Sequence, residues 1–244
     1  MTRVYVDEPL TANRSCVIGG SAANHIMRVL RLREGDALTL FDGRGGEYGA
    51  RIAGFRKESV QVDVQEHRDV ERESALDLTL AQGISRGERM DWVMQKATEL
   101  GVRRIVPVFT ERSVVKLDER QSEKKHQHWR GIAIAACEQC GRNRVPDVAA
   151  PVSFYEAIRT ADPRAAPSVT RLLLSPQATL RARDLPRPTN IMLLIGPEGG
   201  LADNEEEAAI KAGFQPVQLG PRILRTETAA IAALAALQHD FGDL

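Results

Sequence analysis

Ile191-Met192-Leu193-Leu194-Ile195, followed at once by Gly196-Pro197-Glu198-Gly199-Gly200-Leu201, is the stretch whose reading decides the fold. Five consecutive apolar residues between turn formers describe a strand buried on both faces, as in a parallel sheet. The Gly-Pro-Glu-Gly-Gly that follows cannot extend that strand. Its glycines carry no side chains, so another molecule can approach the backbone closely. A strand that ends in such a loop and then enters a helix is where α/β folds place ligands. Asp203 and Glu206 read as N-cap and N3 of that helix, a capping pair with no catalytic role.

Downstream the arrangement repeats. Val217 to Leu219 is a short apolar strand that Gly220-Pro221 breaks. Ile223-Leu224-Arg225 forms a loop, and Thr226 caps an alanine-rich helix carrying Ile231, Leu234 and Leu237. No G-x-x-x-x-G-K-[ST] occurs, and no strand is followed by G-x-G-x-x-G, so neither junction is a phosphate-binding signature. On these residues alone, two ordinary turns in an α/β core explain the pattern equally well.

Lys and Arg number 33, as do Asp and Glu, so the formal net charge is zero and bulk electrostatics announce no nucleic-acid partner. The distribution is uneven. His25 to Arg33 holds Arg28, Arg31 and Arg33 and no carboxylate, and Arg112 to Arg144 holds eight Lys or Arg against four Asp or Glu. Such stretches supply a local basic face for phosphate, or equally a solvated charged helix. No apolar run reaches the roughly 20 residues that span a membrane, and no signal-peptide core opens the chain. Cys16, Cys137 and Cys140 fit a reducing, cytoplasmic setting. Cys137-Glu138-Gln139-Cys140 lacks the second pair that a four-thiolate zinc site needs and lies in a helix; these are structural cysteines.

Residues 1–72 form a small β-rich domain. Arg3 to Val6, Ala37 to Phe41, Tyr48 to Phe55 and Ser59 to Val64 are its strands, with a hairpin turn from Asp42 to Gly46. Ser21 to Leu32 is a helix capped by Ser21, and Arg28 and Arg31 share one of its faces. Glu66 to Ser74 is a charged linker. Residues 73–244 alternate strand and helix. Leu76 to Ala81, a helix from Arg89 to Leu100 ended by Gly101, and Arg104 to Val108 make a β-α-β unit with parallel strands. A long helix from Ser122 to Gly141 and a buried strand, Leu172 to Leu174, follow; Asp162 to Ser168 is a surface loop.

Isoleucine-GPEGG together with Leu219-Gly-Pro-Arg-Ile-Leu-Arg-Thr-Glu-Thr-Ala-Ala230 resembles the SPOUT methyltransferases, and within them the 16S ribosomal RNA uridine-N3 methyltransferase family. The resemblance extends to Gly87–Lys96, Glu99–Val102, Glu138–Pro146, Asn24–Arg31 and Asp42-Gly43, in family order over most of the chain. It implies a PUA-like RNA-binding β-barrel over residues 1–72. Over 73–244 it implies an α/β SPOUT domain whose C-terminal segment threads a trefoil knot, which physical rules alone would not suggest. S-adenosyl-L-methionine is the implied cofactor, N3 of a uridine (U1498 in standard numbering) in 16S rRNA of the small ribosomal subunit the implied target. A homodimer built through the C-terminal region is implied, with no metal and no membrane. Family-level alternatives are a SPOUT enzyme acting on tRNA and a non-catalytic ribosome-associated RNA-binding factor.

By the same resemblance, Leu174, Ile195, Gly196, Pro197, Gly200, Leu219, Gly220, Ile223, Leu224 and Thr226 hold the cofactor. A side chain at Gly196 is expected to fill space that the loop leaves for it. Methylation of N3 needs its proton removed and the resulting anion stabilised. Arg225, or Arg142 and Arg144 from a second subunit, supplies the cation; Glu198 or Glu138 supplies the base. Capping or ion pairing accounts for Glu198 and Glu227 at least as well. RNA contacts fall to Asn24, His25, Arg28, Arg31, Arg142, Asn143 and Arg144. Ala202 departs from the family, where relatives often carry a hydroxyl, and Asp203 is expected to take over that cap.

Overall fold

The computed structural model describes residues 2–114, 117–160 and 169–244; the expected surface loop from Asp162 to Ser168 lies outside them. The chain divides into two units, Met1–Glu73 with Ile134–Val145, and Ser74–Ala133 with Pro146–Leu244.

In the first unit, strands β1 (Arg3–Tyr5), β2 (Arg14–Ile18), β3 (Ala37–Phe41), β4 (Glu47–Phe55) and β5 (Val60–Arg68) form one sheet of order β1-β3-β4-β5-β2. β1 runs parallel to β3, and the other pairs are antiparallel. Strand alternation turns Val60, Val62 and Val64 onto a core shared with Leu38, Leu40, Ile52 and Ile26. β2 has no clear apolar alternation and buries only Ile18; its pairing with β5 defines it instead. β5 runs on to Arg68, so Glu66 to Arg68 belong to a strand rather than to a linker.

The expected helix from Ser21 to Leu32 is shorter and different in kind. An α-helical turn, α1 (Gly20–Asn24), passes into a π-helical turn over His25–Val29, where the Leu30 N–H reaches back to His25 O at 2.9 Å. Gly19 is the N-cap and no side chain caps it, so Ser21 is not the cap. Arg31 has φ +52°, a left-handed conformation that ends any helix. Arg28 and Arg31 therefore share no helical face.

Ile134–Val145, read from the sequence as part of the second domain, groups with the first unit through a polar network. The Arg142 guanidinium forms a buried two-pronged pair with Glu73, Nε to Oε1 at 2.8 Å and Nη2 to Oε2 at 2.5 Å. Asn143 accepts from Arg3 at 2.6 Å and donates to Val70 O at 2.5 Å. Arg3 also pairs with the buried Glu47, and Arg72 donates to Gly141 O at 3.0 Å.

The second unit is a parallel sheet flanked by helices. Its elements are β6 (Asp77–Gly83), α2 (Glu88–Glu99), β7 (Arg104–Phe109), α3 (Glu119–Cys140, whose last residues belong to the first unit), β8 (Asp147–Val148), β9 (Val152–Ser153), α4 (Phe154–Thr160), β10 (Thr170–Leu174), β11 (Asn190–Ile195), α5 (Asp203–Lys211), β12 (Gln215–Val217) and α6 (Thr226–Phe241). The order is β12-β10-β11-β6-β7-β8, with β9 also on β7, and every pair is parallel. Ile191 to Ile195 are all buried, as a central parallel strand requires. α2 buries Met90, Val93, Met94 and Ala97 at helical spacing, and Gly101, at φ +76°, terminates it. α6 packs on α2 and β11.

Two boundaries differ from the sequence reading. α3 starts at Glu119, not Ser122, because Asp118 and Gln121 cap it reciprocally: Gln121 N to Asp118 Oδ1 at 2.8 Å, Asp118 N to Gln121 Oε1 at 3.1 Å. β12 covers Gln215–Val217 rather than Val217–Leu219. It is the edge strand, where Pro216 is tolerated without an N–H to donate.

Removing one partner of a buried ion pair strands the other's charge. Arg142→Ala or Glu73→Ala is expected to lower stability by about 3–5 kcal/mol in urea denaturation, with the Arg142→Met/Glu73→Leu double variant recovering much of it. A loss below about 1 kcal/mol, the level of an exposed pair, would contradict this account.

Candidate functional site

β10, β11 and β12 are neighbours in the sheet and run in one direction, so their C-terminal ends open side by side. The loops that leave them enclose a cavity of about 660 Å³. Leu174 and Ser175 line it from β10, Ile195 to Leu201 from β11, and Gln218 to Thr226, except Pro221, from β12. All ten positions that the sequence reading gave to the cofactor line this cavity, as do Arg225 and Glu198. Leu174, Leu219 and Leu224 are half-buried there, while Ile223 is 85% exposed.

The β11 loop is closed tightly on itself. Gly200 N donates to Pro197 O at 2.9 Å, and Gly200 has φ +69°. A Cβ on Gly196 would lie 2.9 Å from Leu201 N. The expectation that it fills ligand space is thus corrected: the side chain would strike the loop's own backbone. Gly83 at the end of β6 leaves room for Pro197, whose N would be 2.5 Å from a Cβ there.

Thr226 is the first residue of α6 and not its cap; Arg225 is, without a side-chain hydrogen bond. The Thr226 hydroxyl donates to Gly196 O at 2.8 Å and accepts from Gln82 Nε2 at 3.0 Å. This chain of bonds ties the end of β6, the β11 loop and the start of α6 together. On the far side of the loop Arg112 donates to Leu201 O at 2.9 Å and pairs with Asp203 at 3.3 Å. The α5 cap also differs from expectation. Ala202 is the N-cap; Glu205, at N3, accepts from Ala202 N at 3.0 Å and from Glu111 N at 2.8 Å. Alanine has no acceptor, so only the Glu205 half of a capping box forms, and neither Asp203 nor Glu206 fills the place assigned to it.

Four carboxylates line the cavity: Glu198, Asp203, Glu206 and Glu227. Glu198 Oε1 accepts from Arg86 N at 2.9 Å and from Arg89 Nη1 at 2.8 Å. Burial alone would raise its pKa; hydrogen bonds from the Arg86 and Glu198 backbone and from Arg89 outweigh this and hold it below the usual carboxylate range. Glu227 is 8% exposed, and its Oε2 has no hydrogen-bond partner. Its Oε1 lies 3.8 Å from Arg89 Nε.

The remaining singled-out residues belong to the first unit and do not line this cavity. Arg142 and Asn143 are buried in the network described above. Arg144 pairs with Glu71 at 2.8 Å, and Glu138 accepts from Tyr5 N at 3.0 Å. Asn24, Arg28 and Arg31 are exposed and His25 is half-buried. Cys137 is buried and its thiol pushed up to about 12, chiefly by burial, which fits a structural cysteine. Among the described residues no group of three His, Cys, Asp or Glu is placed to hold a metal, and no helix is long and apolar enough to cross a membrane.

Comparison with known proteins decides the family. Residues 72–238 match the family model of the RNA methyltransferase domain and residues 18–65 that of the RNA methyltransferase PUA domain. Ribosomal RNA small subunit methyltransferase E of Buchnera aphidicola subsp. Schizaphis graminum is 37% identical over 99% of this chain and 97% of its own length. The chain belongs to the ribosomal RNA small subunit methyltransferase E family. A crystal structure of such a methyltransferase from Neisseria gonorrhoeae bound to S-adenosyl methionine is 39% identical, with a TM-score of 0.91 over 100% of this chain and 99% of that one. A Legionella pneumophila protein in complex with bound SAM is 43% identical, with a TM-score of 0.94 over 100% and 99%.

Sequence reasoning about this family member missed Gln82, Arg89 and Arg112. Arg89 stands inside the Gly87–Lys96 stretch that carries the resemblance, which was the available signal. Gln82 and Arg112 act through loops distant in sequence, and nothing local marks them.

Thr226→Val keeps the volume and removes the hydroxyl that Gly196 O and Gln82 Nε2 share. It is expected to cost about 1–3 kcal/mol of stability by chemical denaturation. It should also weaken ligand binding at the cavity in calorimetry, because the β11 loop loses its tie to α6. Unchanged stability and binding together would show that this chain of bonds holds nothing.

Proposed function

We propose that the protein transfers a methyl group from S-adenosyl-L-methionine to N3 of a uridine, U1498 in standard numbering, in 16S rRNA of the small ribosomal subunit. The observation that carries the reading is the cavity at the ends of three parallel strands, walled by the loops of the family's own motifs. Its volume, about 660 Å³, is that of a small-molecule site. Leu174, Leu219 and Leu224 offer apolar faces to an adenine, and the backbone of the Gly196–Leu201 loop offers polar groups to its edges. Glu206 supplies negative charge toward a sulfonium or an ammonium. These residues fit the cofactor, which when bound supplies an electrophilic methyl group. The chain's own part is to orient the base, exclude water and take up the N3 proton.

The proposed division of labour is an RNA-binding domain over 1–72 and a methyltransferase domain over 73–244. Exposed Arg28 and Arg31, with Asn24 and His25, supply phosphate or stacking contacts in the first. The buried pairing of Arg142 and the bonds of Asn143 favour a structural role for both, and Arg144 is paired with Glu71; of the cations in the sequence reading, exposed Arg225 is the one that lines the cavity. The family's trefoil knot is proposed for the segment from β10 to α6. Its support is that β10 lies between β11 and β12, out of sequence order, and that α6 packs back on β11; a crystal structure traced through this segment decides it.

The test maps methylated bases. Small-subunit rRNA from a strain lacking this protein should lack 3-methyluridine at one position, and the purified protein with S-adenosylmethionine should restore it. In the same assay Arg28→Ala/Arg31→Ala should lower transfer at limiting RNA and leave cofactor affinity unchanged. A methyl group missing from transfer RNA instead, or no cofactor binding in calorimetry, would replace the proposal with one of its alternatives.

A homodimer completes the reading. α6 buries Ala229, Ala230, Ala233 and Leu234 within its own unit, yet Ile231, Ala232, Ala235 and Ala236 stay half-buried on its other side. Small residues there allow close packing of a second copy. Sedimentation at micromolar concentration is expected to give a dimer; a monomer would contradict this.

A further inference from the structure

We infer that Glu227 is the catalytic base, accepting the proton of uracil N3 as the methyl group is transferred. The inference rests on the uridine-N3 reading above and assigns it a residue.

Four carboxylates line the cavity, and three of them are poorly placed for the task. Glu198 Oε1 accepts from Arg86 N at 2.9 Å and from Arg89 Nη1 at 2.8 Å, and these bonds hold the carboxylate in its ionised form. A carboxylate stabilised in that way is a weak proton acceptor. The Asp203 side chain is 96% exposed and paired with Arg112, so water competes for it. Glu206 also lines a smaller neighbouring cavity with Ser175 and Gln177, which Arg89 does not line. Glu227 differs from all three. It is buried, it lines the cavity, and no hydrogen bond reaches its Oε2. A buried carboxylate oxygen without a donor is costly and is satisfied only when a donor is brought to it. An imide N–H is such a donor.

Its surroundings hold it in place. The preceding residue, Thr226, is bonded to both Gly196 O and Gln82, so the first turn of α6 cannot swing away. Arg89 Nε stands 3.8 Å from Glu227 Oε1, too far to occupy it with a hydrogen bond. In the transfer the N3–H bond breaks and its electron pair stays on nitrogen, while the proton passes to a Glu227 oxygen. The N3 pair forms the bond to the methyl carbon. The carbon–sulfur bond breaks with its pair going to sulfur, which leaves as a neutral thioether. Glu227 then loses its proton to water.

Single-turnover methyl transfer to small-subunit rRNA, measured across pH for wild type, Glu227→Gln and Glu227→Asp, tests this. Glu227→Gln keeps the shape and cannot accept a proton. Its rate at neutral pH is expected to fall by about 10²–10⁴-fold, the range of a lost general base. It should recover in part as alkaline pH ionises the uracil itself, and Glu227→Asp should retain more activity. S-adenosylmethionine affinity by calorimetry and the unfolding midpoint should stay at wild-type values, which a structural role would not allow. A Glu227→Gln rate equal to wild type, or a uniform loss with no alkaline recovery, would overturn the inference while leaving the function standing. Loss of cofactor affinity would overturn it in favour of a cofactor-binding carboxylate. A wild-type protein that makes no 3-methyluridine in the same assay would remove the function and the inference together.

Discussion

Everything at the cavity depends on one short chain of hydrogen bonds. Gln82 donates to Thr226, and Thr226 donates to Gly196 O. These residues end β6, begin α6 and begin the β11 loop, so one hydroxyl fastens three segments far apart in sequence. The order of the sheet makes the meeting possible: β11 lies directly between β6 and β10. The glycines make it close. Gly83 lets Pro197 against the sheet, and Gly196 lets the loop turn back on itself at Leu201. A loop held from both sides presents its backbone in a fixed geometry, and pre-organisation of that kind is what binding energy is most easily lost without.

Charge is used in two distinct ways. The net value of zero hides buried pairs that build the fold and exposed cations that face solvent. Arg142 and Arg3 bind Glu73 and Glu47 inside the first unit, where they bring the Gly141–Arg144 loop against the chain before β6. Such pairs fix how segments meet more than they add to stability, because desolvation offsets most of their attraction. Arg28, Arg31, Arg222 and Arg225 remain exposed. Counting basic residues along the sequence cannot separate these populations. The basic stretch from Arg112 to Arg144 shows why: its two ends are a loop clamp at Arg112 and a buried pair at Arg142.

The fold of the second unit was largely legible because its signals are local. A continuous apolar run marks β11, helical spacing marks α2, and Gly101 marks its end. The cavity was legible for a different reason, since its residues sit in two strand-to-loop junctions whose motifs carry the family resemblance. What escaped was decided by partners distant in sequence. β2 exists because β5 pairs with it, although only Ile18 is buried. Thr226 looked like a cap because a threonine before an alanine-rich helix usually is one; its hydroxyl oxygen instead accepts from Gln82 Nε2, while its proton goes to Gly196 O. Asp203 looked like a cap by the same rule and was drawn to Arg112 instead. Arg142 looked like a catalytic cation by family position, and only its burial beside Glu73 shows what else holds it.

Several local rules fail at or beside the cavity. α6 starts without a side-chain cap, Ile223 stands 85% exposed, and Gln82 Oε1 and Glu227 Oε2 are buried without partners. Each of these costs free energy that ordinary folding would avoid. Those that line the cavity, Ile223 and Glu227 among them, fit a ligand-dependent site: groups that stay unsatisfied until a ligand arrives contribute to binding and not to the stability of the free chain. An uncapped helix start leaves N–H groups for a ligand's acceptors, and an exposed isoleucine at the rim waits for an apolar face. A buried carboxylate waits for a donor. The bonds from Gln82 through Thr226 to Gly196 keep these groups in place meanwhile.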